Sequence, residues 1–418
     1  MSYGPIVLAG LLLEYTLVMG ADVLNLRALK SELPKEFAGV YDPARYSRSQ
    51  DYTRELTRFG WIERTFDLAL LLAFWFSGGF EWLDRSVRAF GYGPIITGTV
   101  YIGLLVIAQQ IVSLPFRSYS TFVIEERFGF NTTTQATFVI DIVKTLLLTV
   151  VLGAPLLAAV LWFFSRTGDA AWLWCLGAIT LFLVVFQLVA PIWIMPLFNK
   201  FKPIENSEVA EAVLDFARRA GFPVEGLFVI DGSKRSTKAN AFLSGFGKRK
   251  RIALYDTLLP HHSTDELVAI VAHEIGHYKK KHVLKEMMFA ITQIGAFFFL
   301  LSVFLHHEAL FKTFDVSQPS TYANLILFAI AYTPISFIFS LVVQARSRRN
   351  EFEADAFARE TIGRGEALAR ALEKLNAESL SNLTPHPFYV KLHHSHPPLA
   401  DRVAALTAQV QPTTSGGR

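Results

Sequence analysis

His273 and His277 stand four residues apart in the segment His273-Glu274-Ile275-Gly276-His277. On a helix, residues i and i+4 share one face. Two imidazoles so placed can hold one Zn²⁺, and Glu274 beside the first can reach a metal-bound water and take its proton. The chemistry that such a trio supports is hydrolysis. The bland reading is a surface helix with two solvated histidines. The apolar run Leu267-Val268-Ala269-Ile270-Val271-Ala272 just before the pair argues against it, because it sets the histidines on the inner part of the helix.

A hydrolytic zinc needs a third protein ligand and an open position. Glu351, in Asn350-Glu351-Phe352-Glu353-Ala354-Asp355, is the best candidate. By residue type, Glu353, His282 and His396 compete with it. Asp355 lies one helical turn beyond Glu351. There it is expected to accept a hydrogen bond from a ligand imidazole and so fix its tautomer.

The elements that must position these groups belong to a membrane protein. The 418 residues are 52% hydrophobic and only 18% charged, with 36 Phe, less charge than a soluble chain carries. Segments near 5–24, 66–83, 94–115, 137–164, 171–198, 286–305 and 323–345 are long and apolar enough to span a bilayer. The second is short and holds Asp67 and Glu81. The start of the chain lacks a basic n-region, so the first run reads as an uncleaved span. The net charge of +4 fits basic residues flanking spans, and no nucleic-acid partner is expected. One cysteine, Cys175, excludes an intramolecular disulfide.

Lys and Arg crowd the loop 25–65, the stretch that begins Lys200 and Lys202, and the tail that begins Arg346. That asymmetry puts the N-terminus outside or lumenal and these stretches in the cytoplasm. The expected division is spans one to five in 1–198, a soluble segment at 199–285, spans six and seven in 286–345, a second soluble segment at 346–410 and a frayed tail at 411–418. In the first soluble segment, Glu205–Ala220 reads as an amphipathic helix, and Leu227–Asp231 and Arg251–Asp256 read as strands. Ser263 and Glu266 fit a capping box opening the motif helix. Asp265-Glu266 before that helix and Lys279-Lys280-Lys281 after it keep it out of the bilayer core. Glu14, Gln109, Gln110, Asp141 and Lys144 lie at membrane depth. Such residues face a cavity or pair locally, as Asp141 could with Lys144.

The chain resembles the M48 peptidases, and within them the Ste24-type CAAX prenyl proteases, a family of integral-membrane zinc endopeptidases. The likeness rests on His273-Glu-Ile-Gly-His277 with Glu351-Phe-Glu-Ala-Asp355. It extends through Ser49-Gln50-Asp51-Tyr52, Glu125-Glu126-Arg127-Phe128-Gly129-Phe130-Asn131, Pro196-Leu197-Phe198-Asn199-Lys200-Phe201, Asn240-Ala241-Phe242 and His396-Pro397-Pro398-Leu399. The resemblance implies a mainly α membrane protein. Seven transmembrane helices would enclose an intramembrane chamber, with a cytoplasmic α+β gluzincin-like zinc protease domain formed from two segments. It implies one Zn²⁺ held by His273, His277 and Glu351, with Glu274 as general base and Asp355 in support. His396 and Arg402 would line the active site. Asn240, Ala241 and Phe242 would form an edge strand that pairs with substrate. The partners implied are the lipid bilayer and a peptide or protein substrate, isoprenylated or not. Two other readings compete. One is a general membrane quality-control protease. The other is a non-enzymatic seven-span transporter or receptor with an incidental zinc site.

Overall fold

The computed structural model describes residues 3–204, 207–245, 250–305 and 308–408. The tail at 411–418 lies outside them. Six helices are long and apolar enough to cross a membrane unbroken: Gly4–Ala28, Pro94–Glu125, Gln135–Arg166, Gly168–Phe198, His282–Phe304 and Thr321–Ile362. No more than 22% of the apolar window of any of them is buried within the protein. Faces this apolar and this uncovered are stable only against lipid.

The second expected span, 66–83, is different from its sequence reading. Helix Pro43–Phe76 and helix Gly79–Arg88 meet at a 64° bend. The first starts well before the apolar run, capped by Asp42, which accepts a hydrogen bond from Arg45 N at 2.7 Å. Its polar first half continues into the membrane because nothing there breaks a helix. The turn falls at Gly78, whose φ of 72° is cheap only for glycine. A Cβ on Gly79 would lie 2.4 Å from the Phe74 ring. With the bent pair taken as one, the described residues hold seven candidate crossings, six of them unbroken helices.

The crossings alternate. At one end Tyr3 N donates to Thr313 Oγ1 and Trp75 Nε1 to the Thr313 carbonyl, both at 2.9 Å. Ser317 binds Glu81 there, and Tyr322 Oη donates to Asp84. At the other end Asn25 Oδ1 accepts from His386 N and Asn382 Nδ2. A cavity of about 720 Å³ among the first, fifth, sixth and seventh crossings is lined by Glu14, Gln293, Tyr332, Thr333, Ser336 and Ser340. Its lining also includes Ile179, Ile294, Phe297 and Phe337, so Glu14 faces an open, mostly apolar cleft. Asp141 and Lys144 do not pair with one another. Asp141 takes Arg235, and Lys144 Nζ donates to the Leu197 carbonyl at 2.6 Å.

Two helices carry membrane and soluble parts without interruption or nearly so. Thr321–Ile362 runs 42 residues, so the seventh crossing and the Glu351–Asp355 segment are one rod. Between Ile335 and Ile362 there is neither Gly nor Pro to stop it, and Gly363, φ 84°, closes it. The motif helix Thr264–Lys279 is followed at once by His282–Phe304, the bend taken by Lys281 at φ 59°.

The soluble part holds a four-stranded sheet: β1 Phe201–Pro203, β2 Gly226–Ile230, β3 Ala241–Ser244 and β4 Arg251–Tyr255. Its order is β1-β2-β4-β3, with β2 parallel to β4 and the other pairs antiparallel. β3 is thus an edge. Helix Glu208–Arg219 starts three residues later than its pattern suggests, where Ser207 Oγ accepts from Ala210 N. Its Val213, Phe216 and Ala217 join Leu227, Ile252 and Leu254 of the sheet and Leu267, Val271 and Ile275 of the motif helix in one core. Phe37, Tyr41 and Tyr46 from the loop after the first crossing are buried in it too.

Candidate metal centre and active site

The motif helix begins as its sequence predicts. Ser263 N donates to Glu266 Oε2 at 2.9 Å, and Glu266 N donates back to Ser263 Oγ at 3.4 Å. Of its apolar run, Leu267, Ala269, Ile270, Val271 and Ala272 are buried and Val268 is partly so. The helix packs along the inner end of the 42-residue helix, and Gly276 sets the spacing. A Cβ there would meet the Ala354 Cα and carbonyl oxygen at 3.0 Å and the Phe357 ring at 3.2 Å. The two nearest neighbours are backbone atoms, which yield less readily than a side chain. Gly276→Val is therefore expected to cost about 1–3 kcal/mol as an overpacked contact and to weaken metal binding by separating the two ligand-bearing helices. Thermal unfolding in detergent and metal retention on dialysis measure both; wild-type values in each would show that the helices have slack.

That packing brings His273, His277 and Glu351 together. One ligand atom from each lies within 4.8 Å of the others. His273 Nε2 and His277 Nε2 are 3.1 Å apart. Glu351 Oε2 is 3.5 Å from His273 Nε2, and Oε1 is 3.3 Å from His277 Nε2. Two acceptor-capable imidazole nitrogens and a carboxylate facing one point suit a divalent metal. Glu351 Oε2 is buried and makes no well-aligned hydrogen bond; its cationic neighbour is Arg402 Nη1 at 3.1 Å. Of the four candidates for third ligand, Glu351 alone completes the group.

The other candidates take supporting places. His282 Nδ1 is 3.0 Å from His277 Nδ1, and its Nε2 is 3.2 Å from Glu353 Oε2. His282 and Glu353 thus form a relay behind His277. Residue type alone suggested ligands; only the packing shows that both point at the back of the ring. His273 Nδ1 lies 2.8 Å from Asp355 Oδ1, which orients the ring so that Nε2 faces the metal position.

Arg402 sits deeper than a lining residue. It is buried and grips Asp355 bidentately, Nε to Oδ2 at 2.8 Å and Nη2 to Oδ1 at 2.7 Å. Its Nη1 lies 3.1 Å from Glu351 Oε2. Burial lowers its pKa, but the two carboxylates more than offset this and raise it. His396 is different: its side chain is 64% exposed, with Nε2 3.4 Å from Glu351 Oε1. It stands at the open side of the cluster, with Ser395 Oγ against its Nδ1.

Glu274 shares the motif helix with the histidines and is half-buried. Burial pushes its carboxyl pKa up, against the downward pull of His273 and His277. A carboxylate on the motif helix beside the histidines is placed to accept a proton. β3 packs beside the motif helix. Asn240 Oδ1 accepts from Ala241 N, and the Phe242 ring lies against Tyr255. The Asn240 carbonyl accepts from Tyr255 N, so pairing with β4 uses Asn240 and, two on, Phe242. Ala241 and Leu243 turn their backbone polar groups to the free edge.

A helical membrane protein with this His-His-Glu group beside an open strand edge is a membrane metallopeptidase. The family model for the CAAX prenyl protease N-terminal, five membrane helices, matches residues 22–200, and that for peptidase family M48 matches 203–410. The CAAX prenyl protease 1 homolog of Oryza sativa subsp. japonica is 34% identical over 97% of this chain and 97% of its own. CAAX prenyl protease 1 of Saccharomyces cerevisiae is 32% identical over 90% and 89%. The crystal structure of S. mikatae Ste24p superposes with a TM-score of 0.93 at 29% identity, covering 97% of this chain and 99% of that one. The chain belongs to peptidase family M48, and it is an integral, multi-pass membrane metalloprotease.

Proposed function

We propose that this protein is a zinc endopeptidase that cuts near the C-terminus of prenylated CAAX-type or similar membrane-associated peptides. The convergence of His273, His277 and Glu351 beside the free edge of β3 carries the reading; the similarity to CAAX prenyl proteases supplies the substrate class. The soluble segments 199–285 and 346–410 together make the protease domain. The basic loops place it in the cytoplasm, with the N-terminus outside or lumenal.

Zinc, when held there, supplies a Lewis acid for the scissile carbonyl and acidifies water. Glu274 takes the proton of the attacking water and passes it to the leaving amine. His396, on the open side, donates a hydrogen bond to the carbonyl oxygen as charge develops on it. Asp355 holds His273 in the tautomer that presents Nε2, and Arg402 holds Asp355. The β3 edge at Asn240, Ala241 and Phe242 aligns an extended peptide by strand addition, with Ala241 and Leu243 offering the backbone groups that face it.

The test of substrate class is cleavage of two peptides of identical sequence, one farnesylated at cysteine and one unmodified. A higher kcat/KM for the farnesylated peptide is expected. Equal values would favour membrane quality control without a prenyl requirement.

A further inference from the structure

We propose that Arg235 and Lys238 are positioning residues, a two-point clasp that fastens the start of β3 to the cytoplasmic ends of the membrane helices. The proposal rests on β3 being the substrate strand. Neither cation has a part in the metal site, and between them they contact most of the segments of this chain that the chemistry leaves unexplained.

Arg235 grips Asp141, near the start of the fourth crossing, through Nε at 2.7 Å and Nη2 at 3.0 Å. The same guanidinium donates to Asn199 Oδ1 and to the Phe198 carbonyl, both at 2.8 Å, where the fifth crossing ends. Lys238 Nζ donates to Glu125 Oε2 at 2.8 Å, at the end of the third crossing. It lies 2.7 Å from Tyr52 Oη, and that hydroxyl reaches Glu125 Oε1 at 2.5 Å. The ammonium also stands 4.4 Å from the Phe130 ring centre. Tyr52, Ile124, Phe128 and Phe130 form a buried apolar cluster beneath it.

Backbone bonds join the same two stretches. Thr132 N donates to the Arg235 carbonyl and Thr237 N to the Phe130 carbonyl. Asn131 and Ser236 form an antiparallel bridge. Residues 235–238 are thus held by an isolated β-bridge and its flanking backbone bonds against the loop between the third and fourth crossings, and the chain enters β3 at Ala241. β3 pairs with β4 on one side only. The clasp fixes its near end, and hence its register against the motif helix. Both ion pairs are mostly shielded from solvent, so salt screens them weakly. The Arg235 fork also fixes direction as well as distance.

A substrate carbonyl displaced by about 1 Å can cost roughly 10²-fold in rate. The test uses the full-length protein in liposomes, with kcat and KM measured alongside metal content. Lys238→Met and Arg235→Asp are each expected to lower kcat about 10–100-fold with metal content retained. Lys238→Arg is expected to keep most of the rate. The double swap R235D/D141R is expected to recover most of what R235D loses. Wild-type kcat and KM in Lys238→Met and R235D would overturn the proposal. So would a double swap no better than R235D, or loss of metal that tracks loss of rate. A peptide series N-methylated at successive amides outside the scissile bond separates this from failure of the strand reading. If no methyl slows cleavage, β3 does not pair with substrate. If methylation slows it and the clasp variants are unaffected, only the clasp fails.

Discussion

Glu274→Gln should lose peptide hydrolysis by at least about 10²–10⁴-fold, the usual contribution of a positioned general base, while the metal stays bound. Glutamine keeps the size and shape of the side chain and removes its capacity to hold a proton. The group that would hold the metal is His273, His277 and Glu351, and Glu274 is outside it, so binding is not expected to depend on the lost charge. The side chain is half-buried on the same helix as the two histidines. Metal analysis of the purified variant should give close to one zinc per chain, and peptide cleavage followed by mass spectrometry should show no product at enzyme concentrations where the wild type finishes. Turnover within tenfold of wild type would sink the role assigned to Glu274. Loss of metal together with activity would show that the residue helps hold the site.

Arg402→Met should be the most destabilising single change near the site. Arg402, Asp355 and Glu351 are all buried, and one guanidinium forks onto Asp355 and forms an ion pair with Glu351. Removing it strands two negative charges in a poorly solvated place, which costs about 3–5 kcal/mol for a broken buried pair. Lysine is not a substitute, because an ammonium lacks the planar fork that meets both Asp355 oxygens. The loss reaches the metal through Asp355, which orients His273 at 2.8 Å. Disturbing such an outer partner costs roughly 10–100-fold in metal affinity. Thermal unfolding of metal-depleted protein measures the first effect and competition with a chelator measures the second. A melting temperature near that of wild type in Arg402→Met would mean that water reaches these carboxylates, contrary to their burial.

Local pattern determined a good deal about this protein. The i, i+4 histidines, the apolar run before them and the Ser263–Glu266 cap lie within a few turns of one another, and the helix they predict is the helix that forms. Mean hydropathy over about twenty residues finds crossings because lipid acts on each helix separately. Where a boundary depends on a stop signal, the pattern misleads. The second crossing begins in a polar helix that nothing interrupts, and the seventh runs on to Ile362 for the same reason.

Tertiary structure alone decided which acidic residue meets the histidines. Glu351 and Glu353 are two apart on one helix, so they face different directions, and only packing at Gly276 turns Glu351 to the motif helix. It also decided that His282 and Glu353 back His277, that Arg402 is a buried clamp, and that Arg235 and Lys238 reach four segments far away in the chain. Side-chain periodicity carries no information about partners brought together by folding, since their spacing in sequence is arbitrary. The histidine motif by itself named a chemistry; the packing of two helices through one glycine made it a site.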